Sequence, residues 1–385
     1  MNSWPHFTAS CRKDVDRVLR DGRLSAYRAN PQVGVGPQEW SQAYALEREI
    51  ERKFKVRHAV AVNSGTAALH AALVALDVRG REVVTTPYSF SATVAAIRLA
   101  GGTPRFADVD PDHFCITKET VKRVITKRTA AIVPVHLFGY FPDLGHLQSF
   151  GIPIVEDACQ AVGAERTVSG TAREPKAVDA GRPGRRYSGT VGLAGVYSFN
   201  GSKNLPSGEG GCLVTNDDKI AEKARAFINH QENFGSLDVG YNYRMHEVVA
   251  VLARHGLREL DERNERRVDL AMAVMMGLAG YGSPFGVYPG NESRDHVFYV
   301  APFTLRGVDR AKFIKRCAKR GLTVGGGYIN PTLDKYPAFK KYVTTPLPVV
   351  HELSEKTLCL LTTLTPEKPL SYARKVATII RESLE

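Results

Sequence analysis

A lysine surrounded by small polar residues is the first feature of the sequence that points to chemistry. Lys203 lies in the stretch YSFNGSKNLPSGEGG, which runs from Tyr197 to Gly211. A neutral lysine amine that another molecule can reach forms a Schiff base with a carbonyl group, and small neighbours leave such an amine open to approach. We interpret the glycines from Gly208 to Gly211 as part of a turn that returns the chain to a sheet past a bound ligand, because glycine adopts backbone angles that other residues avoid.

A second stretch, VNSGTAALHAAL from Val62 to Leu73, has the pattern of a strand, a small-residue turn and a helix. The backbone N–H groups and the dipole at a helix N-terminus attract anions. Ser64, Gly65 and Thr66 are small enough to let a phosphate group come close. Taken alone, the stretch is better explained as an ordinary helix cap, since serine and threonine are preferred there.

Aromatic residues follow another predicted strand, in TTPYSFSATVAAI from Thr85 to Ile97. At the carboxyl end of a strand, Tyr88 or Phe90 is placed to stack on a flat ring. Core packing is the commoner use of such a residue.

Two acids end a third predicted strand, in IPIVEDACQAVGA from Ile152 to Ala164. A carboxylate at the end of a buried strand is unfavourable unless it is paired. Asp157 is suited to pair with a protonated ring nitrogen, and Gln160 is suited to reach a neighbouring ring oxygen. A helix cap, a salt bridge to a surface lysine, or a metal site at Glu156 and Asp157 are alternatives, although no histidine nearby completes a metal-ligand set.

The four stretches together supply the groups that pyridoxal phosphate (PLP) requires. This cofactor needs a lysine for its aldehyde, an acid for its pyridine nitrogen, a cradle for its phosphate and a partner for its ring. The combination therefore indicates a PLP site.

The chain also resembles a known family, the DegT/DnrJ/EryC1/StrS aminotransferases, which are sugar aminotransferases of the fold-type I PLP class. The resemblance rests on ordered motifs from about Trp4 to about Glu265 and is looser beyond. These motifs are NSGTAAL, GGTPRFADVDPD, IVPVHLFGYFPDL, IVEDACQAVGA, YSFNGSKNLPSGEGGCLVTND and GYNYRM.

The resemblance implies a role for each matching residue around the cofactor ring. Lys203 forms the Schiff base and then moves the proton between the cofactor and the substrate carbon. Asp157 keeps the pyridine nitrogen protonated, Gln160 contacts the phenolic oxygen, and Phe90 stacks on the ring.

The resemblance also implies the groups that bind the phosphate and the amino donor. Gly65, Thr66 and Ser198 bind the phosphate. Asn242 reaches the phosphate of the neighbouring subunit, because the family's sites lie at the interface of a homodimer. Arg244 binds the carboxylate of the amino donor.

The sequence departs from the family pattern in three places. Asn200 stands three residues before the lysine, where the family often has histidine or an aromatic residue. The stretch from Glu165 to Gly189 is a longer insertion than usual, and the segment after Tyr281 matches poorly. Lys203 itself disfavours the sugar dehydratases, some of which carry histidine in its place, and GEGG is more typical of members that aminate C4 of a keto-sugar, or a cyclitol ketone, than of C3-acting members.

The elements that position these residues form a repeating pattern between about Val56 and Asn216. Short apolar runs, typical of strands buried on both faces, alternate with helical stretches such as TAALHAALVAL, SATVAAIRLA and TKETVKRVITKR. The predicted strands are VRHAVAVNS, REVVTTP, TPRFADVD, AAIVPVHLFG, GIPIVEDA, GVYSF and GCLVTND. The pattern predicts an α/β fold with ligands at the carboxyl ends of the strands. With the resemblance, it predicts a fold-type I PLP-transferase with a mostly parallel seven-stranded sheet covered by helices.

Three regions are expected along the chain. Residues 1–25 form an N-terminal segment that joins the small domain, residues 26–260 form the large PLP-binding domain, and residues 261–385 form a smaller C-terminal α+β domain with helices at 309–320 and 367–384. The Gly-, Pro- and Arg-rich insertion 165–189 is expected to be a long loop or a partly disordered segment. Its arginines are a minor candidate for binding a phosphorylated substrate.

Composition limits the classes of function. The 385 residues are 43% hydrophobic and carry a formal net charge of +12, which favours anionic partners such as a diphosphate-bearing substrate. The six cysteines have no CxxC spacing, and no signal peptide or membrane-length apolar run is evident. We expect a cytoplasmic protein with no metal, no membrane and no nucleic-acid partner.

The predicted function is a PLP-dependent aminotransferase that moves an amino group from L-glutamate (or L-glutamine) to a keto-sugar, in particular a nucleotide-linked 4-keto-6-deoxy sugar. Alternatives on the same fold are a cyclitol aminotransferase, an amino-shikimate-type synthase and a sugar dehydratase. The alternative from another class is a basic regulatory or nucleic-acid-binding protein, although no helix-turn-helix or interleaved basic and aromatic pattern supports it.

Overall fold

The computed structural model describes residues 7–26, 40–168, 184–231, 239–278, 285–286, 294–305, 307–326, 329–361 and 369–384. The strands are, in chain order, β1 (His58–Val62), β2 (Glu82–Thr85), β3 (Thr103–Phe106), β4 (Thr129–Ile132), β5 (Val155–Asp157), β6 (Glu165–Val168), β7 (Gly184–Tyr187), β8 (Ala194–Ser198), β9 (Gly211–Thr215), β10 (Phe285–Gly286), β11 (Val300–Leu305) and β12 (Thr357–Leu361).

The helices are, in chain order, α1 (Ala9–Asp21), α2 (Gln42–Phe54), α3 (Gly65–Ala75), α4 (Ser91–Leu99), α5 (Lys118–Lys122), α6 (Gly145–Gln148), α7 (Asp218–Phe227), α8 (Glu247–Arg258), α9 (Leu260–Leu278), α10 (Arg310–Lys319), α11 (Pro348–Lys356) and α12 (Pro369–Glu382). Short 3-10 turns occur at Leu137–Gly139, Leu333–Lys335 and Lys340–Tyr342. Within the described residues, no helix is both long enough and apolar enough to cross a membrane.

A central sheet contains seven of the described strands, in the spatial order β1-β9-β8-β5-β4-β2-β3. The two halves of this sheet meet where Ile132 at the end of β4 pairs in parallel with Ile154, just before β5. Only β9 runs antiparallel to its neighbours in this sheet, which it pairs with on both sides. The predicted α/β fold with a mostly parallel seven-stranded sheet is confirmed, and each of its strands lies in one of the seven apolar runs to within one residue.

Both faces of the sheet are buried, and the side chains of β1 pack into two different apolar clusters, one on each face. Val60 and Val62 pack with α3 and α7 on one face, whereas Ala59 and Ala61 pack with α2 and α8 on the other. Because successive side chains of a strand point to opposite faces, a strand covered on both sides is apolar at every position. That requirement explains why these runs lack the alternation of a half-exposed strand.

The C-terminal part of the chain has an antiparallel sheet of its own, in the order β10-β11-β12 among the described strands. Helices α9 and α12 pack against each other beside it. One apolar cluster joins this part to the central sheet, since it contains Val84 and Ile132 together with Leu270, Phe313 and Ile380. The boundaries between the predicted regions stay predictions.

Helix α1 contacts α8, which belongs to the region predicted as the large domain. His255 Nε2 lies 2.8 Å from Asp14 Oδ2, and Glu247 N donates to the carbonyl oxygen of Leu24. The expectation that the N-terminal segment joins the small domain stays a prediction.

The insertion 165–189 is not a loop throughout, and our expectation is wrong for its two ends. Residues Glu165–Val168 and Gly184–Tyr187 pair as an antiparallel hairpin, with Glu165 opposite Tyr187. Arg166 forms an ion pair with Asp295 at 2.6 Å, which uses one of the arginines considered for phosphate binding. Residues 169–183 lie outside the described residues.

The helix predicted from TKETVKRVITKR is only one turn long. Helix α5 ends at Lys122, and Val124 N donates to Val121 O in a tighter, 3-10 type of turn. The β-branched residues that follow, such as Val124, Ile125 and Thr126, lose side-chain freedom in a helix and weaken its continuation.

Candidate functional site

A cavity of about 370 Å³ opens at the carboxyl ends of the parallel strands. The segments after β1, β2, β5 and β8 all contribute to its wall. Seven of the predicted site residues lie in this one cavity: Gly65, Thr66, Phe90, Asp157, Gln160, Ser198 and Lys203. Its other lining residues include Ser89, Thr93, Cys159, Asn200, Ser202, Glu209 and Tyr299.

Lys203 stands on the segment that connects β8 to β9, two adjacent antiparallel strands. Its backbone N–H donates to the carbonyl oxygen of Asn200 at 2.8 Å, which closes a tight turn just before the lysine. The lysine Nζ lies 4.1 Å from the centre of the Tyr299 ring. The sequence therefore places the amine in the cavity on a segment that is held at both ends by the same sheet.

Asn200 organises the turn before the lysine. Its side-chain oxygen accepts hydrogen bonds from Ser202 N and Ser202 Oγ, and its Nδ2 donates to Glu209 Oε1 at 3.0 Å. The departure from the family pattern at this position thus has a local structural role.

The glycines after the lysine adopt the backbone angles that we predicted. Gly208 has φ of 89° and Gly210 has φ of 138°, which is the region that favours glycine. A Cβ at Gly211 would lie 2.6 Å from Gly65 N, so this close approach also requires glycine.

Asp157 ends β5 with a buried carboxylate that is held in place by hydroxyl groups. Thr93 Oγ1 donates to Asp157 Oδ2 at 2.8 Å, and Ser89 Oγ lies 2.7 Å from Thr93 Oγ1. The other carboxylate oxygen, Oδ1, is 3.4 Å from Cys159 N, at the limit of a hydrogen bond. Asp157 therefore presents an oriented oxygen to the cavity.

Cys159, in the same wall, is not a competing nucleophile. Desolvation, and then the nearby Asp157 carboxylate, raise the pKa of the Cys159 thiol well above its usual range. The thiolate is the reactive form of cysteine, so Cys159 stays unreactive at neutral pH.

Gln160 is oriented by the backbone of a neighbouring turn. Its Oε1 accepts a hydrogen bond of 2.8 Å from Phe138 N. Because the amide oxygen is used in this way, the amide nitrogen is the group that Gln160 offers to the cavity, as a donor.

The structure separates the two aromatic candidates after β2. Tyr88 is fully buried and packs edge-on against Phe138, so it belongs to the core. Phe90 is 60% exposed and lines the cavity. An exposed phenylalanine at the mouth of a cavity is suited to stack on a flat ligand.

The N-terminus of α3 closes the opposite wall. Ser64 caps this helix by accepting a hydrogen bond from Ala67 N, and the first helical residues are Gly65 and Thr66. N–H groups in a first turn have no acceptor within the helix and attract anions. A Cβ at Gly65 would lie 2.8 Å from Ser198 Cβ, so glycine lets α3 and β8 meet closely at this point.

Glu156, the other acid after the third apolar run, faces away from this chemistry. It is fully buried and accepts hydrogen bonds from Gly189 N, Val191 N and Gly192 N, at 2.6 to 2.8 Å. It anchors the segment that leads from the hairpin into β8. Within the described residues, no group of three or more histidine, cysteine, aspartate or glutamate side chains could hold a metal ion.

Asn242 and Arg244 lie outside the Lys203 cavity of their own chain. Asn242 pairs with Asn229 in an isolated antiparallel bridge. Arg244 Nη1 donates to Asn229 Oδ1 at 2.7 Å and lines a separate cavity of about 340 Å³ with Glu47 and Arg225. The roles of these two residues stay predictions.

Sequence reasoning missed Thr93, Ser89 and Tyr299. Thr93 and Ser89 belong to the stretch quoted for Phe90, and a hydroxyl one helical turn from another is a usable signal of a hydrogen-bonded pair. Tyr299 is far from Lys203 in sequence and had no local signal.

The residues of the cavity fit PLP. An amine, a buried carboxylate, an amide donor, an exposed aromatic ring and a helix N-terminus share one space, and each matches one part of the cofactor. Lys203, Asp157, Gln160, Phe90 and the first turn of α3 are the groups that would hold it.

Comparison with known proteins agrees with this geometry. Residues 33–376 match the model of the DegT/DnrJ/EryC1/StrS aminotransferase family. The chain belongs to this family. DegT-family enzymes are PLP-dependent sugar aminotransferases, so the recognition, the enzyme class and the cofactor that we predicted are confirmed.

Two curated relatives of this DegT-family chain have different names. A UDP-N-acetyl-3-dehydro-alpha-D-glucosamine 3-aminotransferase from Acidithiobacillus ferrooxidans is 32% identical over 352 residues, 89% of each chain. A protein from Geobacillus stearothermophilus named pleiotropic regulatory protein is 31% identical over 326 residues, 82% of each chain.

Solved structures of the family superimpose over nearly the whole chain. An aminotransferase from Psychrobacter cryohalolentis has a TM-score of 0.84 and 25% identity, covering 99% of this chain and 98% of that one. DesV from S. venezuelae, solved in complex with a ketimine intermediate, has a TM-score of 0.82 and 28% identity, covering 98% and 95%. DesI, solved with its TDP-sugar product, has a TM-score of 0.82 and 26% identity, covering 99% and 92%.

Proposed function

We propose that this DegT-family chain transfers an amino group from L-glutamate (or L-glutamine) to a nucleotide-linked 4-keto-6-deoxy sugar. The observation that carries the proposal is the single cavity in which Lys203 meets Asp157, Gln160, Phe90 and the first turn of α3. When bound there, PLP supplies an electron sink for the carbon that gains or loses nitrogen.

Different groups in the cavity bind different parts of the cofactor. The N–H groups of Gly65 and Thr66, with the Ser198 hydroxyl, hold the phosphate at the positive end of α3. Phe90, which lines the cavity, would contact a face of the ring.

Two further side chains hold protons at fixed atoms. Asp157, oriented by Thr93, keeps a proton on the ring nitrogen, because a carboxylate favours the protonated form of its partner. Gln160 donates through Nε2 to the ring oxygen, since its Oε1 is already used by Phe138.

Lys203 is the residue that moves a proton. Its Nζ takes a proton from the carbon of the amino donor and returns one to the carbon of the acceptor. Such transfer needs the amine within reach of the reacting atom, and its segment, held between β8 and β9, keeps it in the cavity.

The visible absorption spectrum tests this proposal most directly. Purified protein with PLP should develop a yellow absorbance band that bleaches when L-glutamate is added. Lys203→Ala should lack the band, whereas Lys219→Ala, a matched change at an exposed lysine of α7, should keep it. A protein that takes up no PLP would overturn the proposal and favour the regulatory alternative, whereas a band that ignores glutamate and glutamine would indicate another donor.

The identity of the amino acceptor is tested with keto-sugars that differ in the position of the keto group and in the nucleotide they carry. The GEGG motif after Lys203 supports amination at C4, whereas the A. ferrooxidans relative is named as a 3-aminotransferase. Protein bleached by glutamate should regain its band with a TDP-linked 4-keto-6-deoxyhexose. Recovery with UDP-N-acetyl-3-dehydro-glucosamine alone would contradict the C4 assignment, and recovery with a keto-cyclitol alone would favour the cyclitol alternative.

We also propose that the protein acts as a homodimer with shared sites. Asn242 lies outside the cavity of its own chain, which supports a role in the neighbouring one. Arg244 would then bind the donor carboxylate there. Mixing inactive Lys203→Ala with inactive Asn242→Ala protein should restore part of the activity, because each mixed dimer holds one intact site. No restoration under conditions where subunits exchange would contradict a shared site.

A further inference from the structure

Tyr299 covers the amine of Lys203 with the face of its ring. The distance from Lys203 Nζ to the ring centre is 4.1 Å. The tyrosine is only 6% exposed, yet it lines the cavity. It comes from the residues just before β11, in the C-terminal part of the chain, and so reaches the lysine from outside the central sheet.

Tyr299 is held through its hydroxyl group and through its backbone. The Tyr299 hydroxyl lies 3.1 Å from Ser202 Oγ, which belongs to the lysine segment itself. The Tyr299 carbonyl oxygen accepts a hydrogen bond of 3.2 Å from Arg267 Nη1. A ring held in this way has one orientation toward the amine.

Arg267 links the backbones of the two residues. Its Nη2 reaches the Lys203 carbonyl oxygen at 3.5 Å while Nη1 binds Tyr299. Arg267 is buried on α9, and this burial lowers the pKa of its guanidinium to about 10, which leaves it charged at neutral pH. One guanidinium therefore joins the lysine segment to the residue that covers the lysine.

The carboxylates that share the cavity do not replace this contact. Asp157 and Glu209 line the same space, but within the described residues neither carboxylate forms an ion pair with Lys203. Lysine has a flexible four-carbon stem and a large side-chain entropy. An aromatic face within about 6 Å attracts an ammonium group, and more strongly where water is excluded.

We propose that Tyr299 is a positioning residue for Lys203: its ring face holds the free lysine ammonium in the cavity whenever the amine is not bonded to another molecule. Arg267 and Ser202 fix the ring for this purpose. The meaning of the proposal for catalysis rests on the proposed function, but the contact is a property of the cofactor-free protein.

Reductive methylation of the cofactor-free protein measures how firmly the amine is held. Formaldehyde with a borane reductant methylates neutral amines, and peptide mass spectrometry follows Lys203 beside the exposed Lys219 as an internal reference. Tyr299→Phe keeps the ring face and should change the Lys203 rate less than twofold. Tyr299→Leu removes the face and should raise the rate on the order of threefold to tenfold, the size expected for the loss of such a contact.

A series of fluorinated phenylalanines at position 299 distinguishes two effects of the ring: its electrostatic attraction for the lysine ammonium and its shielding of the amine from the reagent. Each added fluorine weakens the negative face of the ring and changes its shape little. The Lys203 rate should rise stepwise from phenylalanine to trifluorophenylalanine, while the Lys219 rate stays constant and circular dichroism confirms the fold. A constant Lys203 rate across the series would overturn the proposal, even if Tyr299→Leu is faster.

The measurement uses neither PLP nor a sugar. Failure of this proposal is therefore distinguishable from failure of the proposed function, which the absorption spectrum tests. A protein that binds no PLP can still show the stepwise change in Lys203 methylation rate. An active aminotransferase can lack that stepwise change.

Discussion

Thr93 Oγ1 donates a 2.8 Å hydrogen bond to Asp157 Oδ2 from the first turn of α4, so the acid that ends β5 is oriented by the helix that follows β2. Both residues are buried, and Ser89 extends the chain of hydroxyl groups behind them. The buried carboxylate lines the cavity with one oxygen held by a short hydrogen bond and the other by only a long one, from Cys159 N.

Thr93→Val keeps the shape of the side chain and removes the donor. We expect PLP to bind roughly tenfold more weakly, the size of one hydrogen bond to a charged group. Titration of cofactor-free protein with PLP, followed by absorbance, measures the change. Thr120→Val is the matched control, because Thr120 also loses a hydrogen bond but lies in the cap of α5. Equal affinity for the Thr93 variant and wild type would refute the role of Thr93.

Phe90→Ala should separate stability from cofactor binding. Since Phe90 is 60% exposed, its truncation should change the free energy of unfolding of the cofactor-free protein by less than about 0.5 kcal/mol. PLP affinity should fall by roughly threefold to tenfold, through loss of one aromatic contact. Urea unfolding and PLP titration measure the two quantities.

Met276→Ala provides the control for this substitution. Met276 is 72% exposed on α9 and does not line the cavity. This variant should leave both stability and affinity unchanged. If Phe90→Ala binds PLP as well as Met276→Ala does, the ring does not stack on the cofactor.

Gly65→Ala should damage both the fold and the phosphate site. The new Cβ would lie 2.8 Å from Ser198 Cβ, closer than real Cβ contacts occur, and a tight 3.0 Å from Cys159 Sγ. We expect about 1–3 kcal/mol of destabilisation, as for other overpacked positions, together with weaker PLP binding. Gly325→Ala is the control, because its nearest contact would be an ordinary 3.5 Å to Cys359 O. If the two variants have the same melting temperature, α3 and β8 can move apart without loss of stability, and the close contact does not require glycine.

Buried His136 should make stability depend on pH. Burial lowers the pKa of His136 to about 3, so the folded protein keeps the ring neutral while the unfolded chain binds a proton near pH 6.5. Unfolding then takes up a proton between these values, and the free energy of unfolding falls as the pH falls, by about 1.4 kcal/mol per pH unit for this residue.

His136→Gln removes this dependence and isolates it from other groups. Between pH 6 and pH 5 the variant should lose about 1.4 kcal/mol less stability than wild type, measured by urea unfolding. His146→Gln makes the same change at an exposed histidine and should follow wild type. Parallel curves for all three proteins would mean that His136 is protonated in the folded state.

Much of the central sheet was predictable because its determinants are local. Strands buried on both faces must be apolar at every position, so the seven runs identified them without knowledge of their partners. The hairpin of β6 and β7 was missed because its composition is polar and its strands are held by pairing with each other, with Glu165 opposite Tyr187. Such pairing leaves no apolar period.

The candidate site was also predictable only in part, where the signal is local in the sequence. Asp157 and the first turn of α3 were identified because each lies where a strand ends, and Lys203 was identified because small polar residues and a glycine-rich turn surround it. Asp157 and Glu156 are adjacent and chemically alike, yet only the structure shows that Glu156 binds three backbone N–H groups. Thr93 and Tyr299 act through contacts between distant segments, which a single sequence does not record.

Asp157 and Tyr299, which line the cavity with Lys203, are connected to the lysine segment in different ways. Asp157 pairs with Val196 on β8, the strand that leads into the lysine segment, so the acid is joined to that segment through one sheet. Tyr299 enters from the C-terminal part and is joined to the lysine through Arg267 and Ser202. A displacement of the C-terminal part would therefore lengthen the distance from Nζ to the aromatic ring while the spacing of amine and carboxylate stayed constant.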